Sequence, residues 1–157
     1  MSQLVLLVES DVEACLRMQS WLAILDPQVE LYTLQSLEAG AAFFAKRREE
    51  LKLVVMSGKF DLGLKATLAF IQELRRSGFE APIMAAAASY GVTQQMKEAG
   101  CTVDCDLRDA GQSERDAEAV VRRILTVLAC TSRRYFHSGR TSARVSQGLG
   151  RKFRAAS

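Results

Sequence analysis

The sequence predicts one α/β domain, a doubly wound parallel sheet of five strands, followed by a basic C-terminal extension. Short aliphatic runs alternate with stretches whose apolar residues recur at helical spacing, which is typical of repeated strand–helix units. The chain has 157 residues and is 48% hydrophobic, so it can bury one sizeable core but is too short for two full domains.

The first strand is predicted at residues 3–8, where an uninterrupted aliphatic run indicates a strand buried on both faces. Asp11 is suited to cap the helix that follows, and Asp26 with Pro27 ends it. The apolar stripe of this helix comprises Cys15, Met18, Trp21, Leu22 and Leu25. We therefore expect Trp21 in the core rather than in a binding site.

Four further strands and four further helices are predicted. The strands lie at residues 29–34, 51–57, 81–86 and 101–105. The helices lie at residues 36–47, around Leu68, Ile71 and Leu74 as far as Gly78, at residues 92–99 and at residues 113–130. The strand at residues 81–86 is alanine-rich, and alanine also favours helix. The last helix carries apolar residues at i, i+3, i+4 and i+7, so we expect it to lie on the sheet.

Cysteine usage predicts buried thiols rather than disulfides, because a chain of this size folds without covalent links. The four cysteines are Cys15, Cys101, Cys105 and Cys130. Cys101 and Cys105 could suggest a metal pair, but their spacing matches no common zinc signature, and His137 is the only histidine. We expect no metal and no cofactor.

Hydropathy and the N-terminus bear on location. No run approaches the roughly 20 apolar residues that span a bilayer, and the N-terminus lacks the pattern of a signal peptide. We therefore expect a soluble, unexported protein of the bacterial cytoplasm.

The net charge of +3 is distributed unevenly. Residues 131–157 carry seven bases and no acid, whereas residues 1–130 carry 14 bases against 18 acids. We interpret residues 1–130 as the domain and residues 131–157 as a tail. The tail lacks periodicity, which favours a linker, but its bases and aromatics also fit nucleic-acid contacts. The candidate contacts are Arg133, Arg134, Arg140, Arg151, Lys152 and Arg154.

Polar residues follow two of the predicted strands. Glu9, Ser10 and Asp11 come after the first strand, and Ser57 ends the third. Because ligands of doubly wound sheets bind at the carboxyl ends of the strands, these residues define the expected site.

Residues 3–130 resemble the receiver domain of bacterial response regulators, which has a CheY-like (flavodoxin-like) (βα)5 fold. The resemblance rests on the order and spacing of four segments, at residues 6–11, 53–57, 82–84 and 98–101. In that family two acids after strand one and an aspartate ending strand three hold Mg²⁺, and the aspartate accepts a phosphoryl group from a histidine kinase. The matching positions here are Glu9, Ser10 and Ser57.

The resemblance therefore implies a pocket that lacks most of the side chains that phosphorylation requires. Only Glu9 keeps a carboxylate, since Asp11 is expected to cap a helix. The switch threonine or serine of the family falls on Ala87, and its lysine falls on Leu107. Ser57 is a weak nucleophile without an activating base, so we expect a polar remnant rather than a phosphate acceptor.

Without a reactive pocket, we expect the domain to act through contacts of its surface with another protein or a second copy. In receivers the fourth helix, fifth strand and fifth helix form a partner face, which here would include Met96, Lys97 and the outer side of residues 113–130. Val127 and Ala129 lie off the main apolar stripe. Either they form a second buried or contacting side, or they are ordinary exposed apolar residues.

Three functions follow as hypotheses. The first is a non-enzymatic, phosphorylation-independent pseudo-receiver that acts as an interaction or dimerisation module in signalling or transcription regulation. The second is the N-terminal regulatory part of a DNA-binding regulator, with the tail as interdomain linker or DNA contact. The third, a flavodoxin-like enzyme or ligand binder, is disfavoured because no glycine-rich phosphate loop follows strand one.

Overall fold

The structure, a computed structural model, describes residues 2–58, 62–87, 89–105 and 113–133. The chain divides into two units, Met1–Ile124 and Leu125–Ser157. The strands of the first unit are β1 (Gln3–Val8), β2 (Val29–Leu34), β3 (Leu51–Ser57), β4 (Ile83–Ala86) and β5 (Val103–Asp104). They form one parallel sheet in the order β2-β1-β3-β4-β5. The predicted doubly wound five-stranded fold is confirmed.

Helices alternate with these strands. They are α1 (Val12–Leu25), α2 (Leu37–Arg47), a 3-10 turn (Arg48–Glu50), α3 (Leu64–Arg76), α4 (Tyr90–Ala99) and α5, described over residues 114–133. Helix α4 begins two residues earlier than predicted, because Ser89 provides its N-cap. Strand β5 is shorter than predicted, although Thr102 and Cys105 donate backbone hydrogen bonds to Ile83 and Ala85 and so prolong the pairing with β4.

The central strands are buried on both faces, as their aliphatic runs predict. Every residue of β4, all but the second residue of β3 and all but the first of β1 are buried. Each such Leu, Val or Ile contributes roughly 1.5–3 kcal/mol relative to its exposed state. This core fixes the carboxyl ends of β1, β3 and β4 next to one another.

Strand β2 forms one edge of the sheet, and α1 covers part of that edge. The carbonyl of Leu34 accepts from Glu9 N–H, so alternate carbonyls of β2 face inward and that of Leu31 faces outward. Gln19 Nε2 donates to the Leu31 carbonyl at 3.5 Å and to Thr33 Oγ1 at 3.4 Å. A side chain of α1 thus occupies an outward acceptor of the edge strand.

Trp21 departs from its predicted place in the core. Its side chain is only partly buried, and its Nε1 donates to Glu114 Oε2 at 2.9 Å. Indole N–H groups need a partner when they leave water, which keeps this residue at the boundary of the core. Trp21 therefore connects α1 to the first turn of α5.

Three cysteines are buried as expected, but Cys130 is exposed. Among the described residues, no group of three or more histidine, cysteine or acidic side chains is arranged to hold a metal ion. Within the same ranges, no helix combines the length and the hydropathy that crossing a bilayer requires.

The described part of the unit Leu125–Ser157 is helical through residue 133. Thr131 Oγ1 donates to the Val127 carbonyl at 2.9 Å, and Ser132 Oγ donates to that of Leu128 at 3.0 Å. Residues 131–133, predicted to begin the tail, thus continue a helix.

Candidate functional site

The candidate site lies where β1, β3 and β4 end. Val8 pairs with Met56, so Glu9 and Ser57 follow at the same level of the sheet. Ser57 in turn pairs with Ala86, and Ala87 comes next. The topology thereby brings together residues that the sequence placed at separate strand ends.

Glu9 supplies a buried carboxylate. Its side chain is 7% exposed, and its Oε1 accepts from the backbone N–H of Asp11 at 3.2 Å. The Cys15 thiol lies under the same loop, with Sγ 3.7 Å from the Glu9 carbonyl. Burial, followed by the negative charges of Glu9 and Asp11, raises the pKa of Cys15 from 9.0 to about 11. This thiol therefore stays protonated at neutral pH and is a poor nucleophile.

The Asp11 carboxylate caps the N-terminus of α1. Its Oδ1 accepts from the N–H groups of Glu13 at 3.0 Å and Ala14 at 3.2 Å. These are two of the donors that the start of a helix leaves without intrahelical partners. The prediction that Asp11 caps the helix is confirmed. Ser10 lies between the two acids and is partly exposed.

Ser57 and Ala87 lie beside a close backbone contact. Ser57 is 3% exposed, and the next residue, Gly58, donates its N–H to the Ala86 carbonyl at 3.2 Å. A Cβ at Gly58 would lie 2.9 Å from Ala87 Cβ and 3.1 Å from Val92 Cγ1. Hydrocarbon thus packs directly on the Gly58 backbone, and the Ala87 position supplies a methyl group instead of a hydroxyl.

Among the described residues at this edge, few side chains could bind a cation or take part in phosphoryl transfer. Mg²⁺ prefers near-octahedral oxygen ligands, usually with one or two carboxylates. The edge supplies the carboxylate of Glu9, while the carboxylate of Asp11 is engaged in the helix cap. Phosphoryl transfer to Ser57 would also require activation of its hydroxyl.

Two side chains predicted on the partner face, those of Met96 and Val127, are buried. Met96 is fully buried in the hydrophobic core and does not offer its side chain to a partner. Val127 is 7% exposed, which agrees with a second buried side rather than with an ordinary exposed apolar residue. Helical spacing alone does not show which face of a short helix is covered. Lys97 is partly exposed and pairs with Asp104 at 2.5 Å, whereas Ala129 is exposed.

Other predicted site residues lie outside the described residues. They are Leu107, Arg134, Arg140, Arg151, Lys152 and Arg154. Arg133 is exposed and is the last described residue of α5. The nucleic-acid contact predicted for these bases therefore stays a prediction.

Sequence reasoning missed Gly58 and Val92 as residues that shape the site. A glycine directly after a buried strand end was the available signal, because glycine there often marks a close approach of another segment. The identity of that segment depends on packing between β3 and α4.

The sequence matches no protein-family model, and no curated protein matches it. Solved structures of response regulators share its fold. The phosphorylated cyanobacterial phytochrome response regulator RcpA has a TM-score of 0.68 at 11% identity, covering 83% of this chain and 96% of its own. A response regulator receiver protein from Pseudoalteromonas atlantica has 0.63 at 14%, covering 82% and 98%. A LuxR family DNA-binding response regulator from Silicibacter pomeroyi has 0.56 at 11%, covering 82% and 93%. The chain thus has the fold of a response regulator receiver domain.

Proposed function

We propose that this chain is a pseudo-receiver, a non-enzymatic module that acts through protein contacts or dimerisation in bacterial signalling or transcription regulation, independently of phosphorylation. One observation carries the proposal. The end of β3 presents a buried serine, and the adjoining Gly58 backbone is packed against the methyl groups of Ala87 and Val92.

The charge at the strand ends supports this function. A carboxylate that accepts a phosphoryl group acts with a divalent cation, because the transferring group carries dense negative charge. Here the positions that resemble the family's acids hold Glu9, Ser10 and Ser57, and Asp11 is committed to α1. The similar structure of RcpA was solved in a phosphorylated form. Ser57 lacks the ionised oxygen that such a reaction uses.

The test is thermal unfolding of the full chain with Mg²⁺, with and without beryllofluoride as a phosphoryl mimic. We expect the Tm to stay unchanged in both conditions. A variant carrying Ser10→Asp, Ser57→Asp and Ala87→Thr is the matched control, because it supplies two carboxylates and a hydroxyl. A clear Tm increase of the unsubstituted chain with either addition would contradict the proposal.

Self-association is tested separately by measuring molar mass by light scattering across a hundredfold concentration range. We expect a concentration-dependent rise toward twice the chain mass of 17.3 kDa. A constant monomer mass would restrict the function to contacts with a different protein.

A second candidate function is the regulatory part of a DNA-binding regulator. The seven bases of residues 131–157 favour it, and one similar structure is a DNA-binding response regulator. Duplex DNA binding should then weaken with salt, with a log–log slope of about 0.9 for each phosphate contact. The full chain carrying Arg151→Gln, Lys152→Gln and Arg154→Gln should show a shallower slope. Binding that is absent at low salt would exclude this function.

A further inference from the structure

Helix α4 is attached to the rest of the domain at its C-terminal end by Arg75. The Arg75 side chain, from the last turn of α3, donates Nε to the Gly100 carbonyl at 2.9 Å. Its Nη1 donates to the carbonyls of Phe79 and Ala81, each at 2.8 Å. Gly100 is the C-cap of α4, so one guanidinium joins the end of α4 to the turn between α3 and β4.

Arg75 packs so closely on Gly100 that a side chain at position 100 would collide with it. A Cβ at Gly100 would lie 2.7 Å from Arg75 Cγ and 3.4 Å from Ile71 Cγ2. Gly100 also has φ of 141°, a conformation that L side chains rarely adopt. The glycine therefore serves both the turn and the close packing of α3 on α4.

The N-terminal half of α4 is held by a second contact. Val92 packs on the hydrophobic core. Its Cγ1 lies 3.1 Å from the position that a Cβ would take at Gly58, the residue after β3. Between the two ends, Met96 is fully buried, and Lys97 pairs with Asp104 of β5. Contacts thus restrain α4 at its start, its middle and its end.

We propose that Arg75 and Gly58 together hold α4 in a single position, so that the domain presents one conformation of this helix. The two contacts lie at opposite ends of the helix, so α4 cannot separate from the domain and unfold locally without breaking both of them. The inference deepens the proposed function, since a module that works without phosphorylation needs its contact surface preformed. It rests on that function only for its biological role.

The test is hydrogen–deuterium exchange of the full chain. The exchange rates of α4 amides are compared with those of β1 and β3 amides. We expect Arg75→Met and Gly58→Ala each to raise the exchange rates of α4 amides roughly tenfold or more. The first removes three charge-assisted hydrogen bonds, one of them to the C-cap of α4, and the second inserts a methyl group against Ala87 and Val92. Amides of β1 and β3 should change several-fold less. Methionine keeps the aliphatic contacts of Arg75, so the hydrogen bonds are the main difference.

Arg76→Met is the matched control. Arg76 is the next residue, is largely exposed and makes only a 3.6 Å pair with Glu73 of the same helix, so all exchange rates should stay unchanged. Should Arg75→Met fail to fold, Arg75→Lys keeps the charge without the planar fork and should still raise α4 exchange.

The proposal is overturned if α4 exchange rises less than about twofold, or if it rises no more than that of β1 and β3. This result is distinct from failure of the proposed function. A Tm increase with Mg²⁺ or beryllofluoride would reject phosphorylation independence and leave the exchange comparison valid. Uniform exchange would reject the restraint on α4 and leave the pocket chemistry as argued.

Discussion

At the scale of single residues, two buried side-chain atoms of the described residues lack a hydrogen-bond partner, Thr67 Oγ1 and Arg75 Nη2, and Thr67 is the simpler one to test. It is fully buried in α3, and its hydroxyl has no hydrogen-bond partner. We expect Thr67→Val to stabilise the protein by about 1 kcal/mol, because the substitution keeps the branched shape and removes a buried unpaired hydroxyl. The free energy of unfolding in urea measures this effect.

Thr93 provides the control for that substitution. It is also buried in a helix, but its Oγ1 donates to the Ser89 carbonyl at 3.0 Å. Thr93→Val should therefore destabilise the protein by about 0.5–1.5 kcal/mol. If both substitutions change stability in the same direction, the unpaired hydroxyl of Thr67 is not the cause.

At the scale of secondary structure, the cap of α1 is the element whose removal is most easily tested. Asp11→Ala should lower the free energy of unfolding by about 1 kcal/mol, because two N–H groups of the first turn lose their acceptor. Asp11→Asn should keep most of that stability, since an amide oxygen also accepts. Thermal or urea unfolding decides between them. Equal losses in the two variants would mean that the charge of Asp11, and not its cap, stabilises the protein.

The elements also show what the sequence could predict. Strands β1 and β3 were predictable because their aliphatic runs match burial on both faces. The site at their ends followed, since parallel strands finish at one edge. The bond of Trp21 to Glu114 was not predictable, because it joins residues 93 positions apart. The contact of Gly58 with Val92 and the burial of Met96 also depend on tertiary packing, which periodicity does not encode.

At the scale of the whole molecule, stability should fall at alkaline pH. Burial raises the pKa of Cys15 from 9.0 to about 11 and that of Cys101 to about 12, the latter against the opposing charge of Arg75. Unfolding exposes both thiols, which then ionise above pH 9. The free energy of unfolding should therefore be unaffected by these groups below pH 9 and should decrease from there through pH 11–12.

Urea unfolding at several values between pH 8 and about pH 11 measures this dependence. The variant with Cys15→Ala and Cys101→Ala should show a shallower decrease than the unsubstituted protein, although its stability at pH 8 will be lower because two core side chains are smaller. All other ionisable groups are the same in both proteins, so the difference in slope reports the two thiols. Identical slopes would contradict the effect of burial on these groups.

The hydrogen bonds of Gln19 have a consequence for solubility. A strand of another molecule can pair with each edge strand of an open sheet. Aggregation can start where the outward carbonyl groups of an edge strand are accessible. By occupying the Leu31 carbonyl, the amide of Gln19 withdraws one acceptor that an incoming strand would use. Helix α1 thereby leaves the β2 edge one acceptor fewer for pairing with a strand of another molecule.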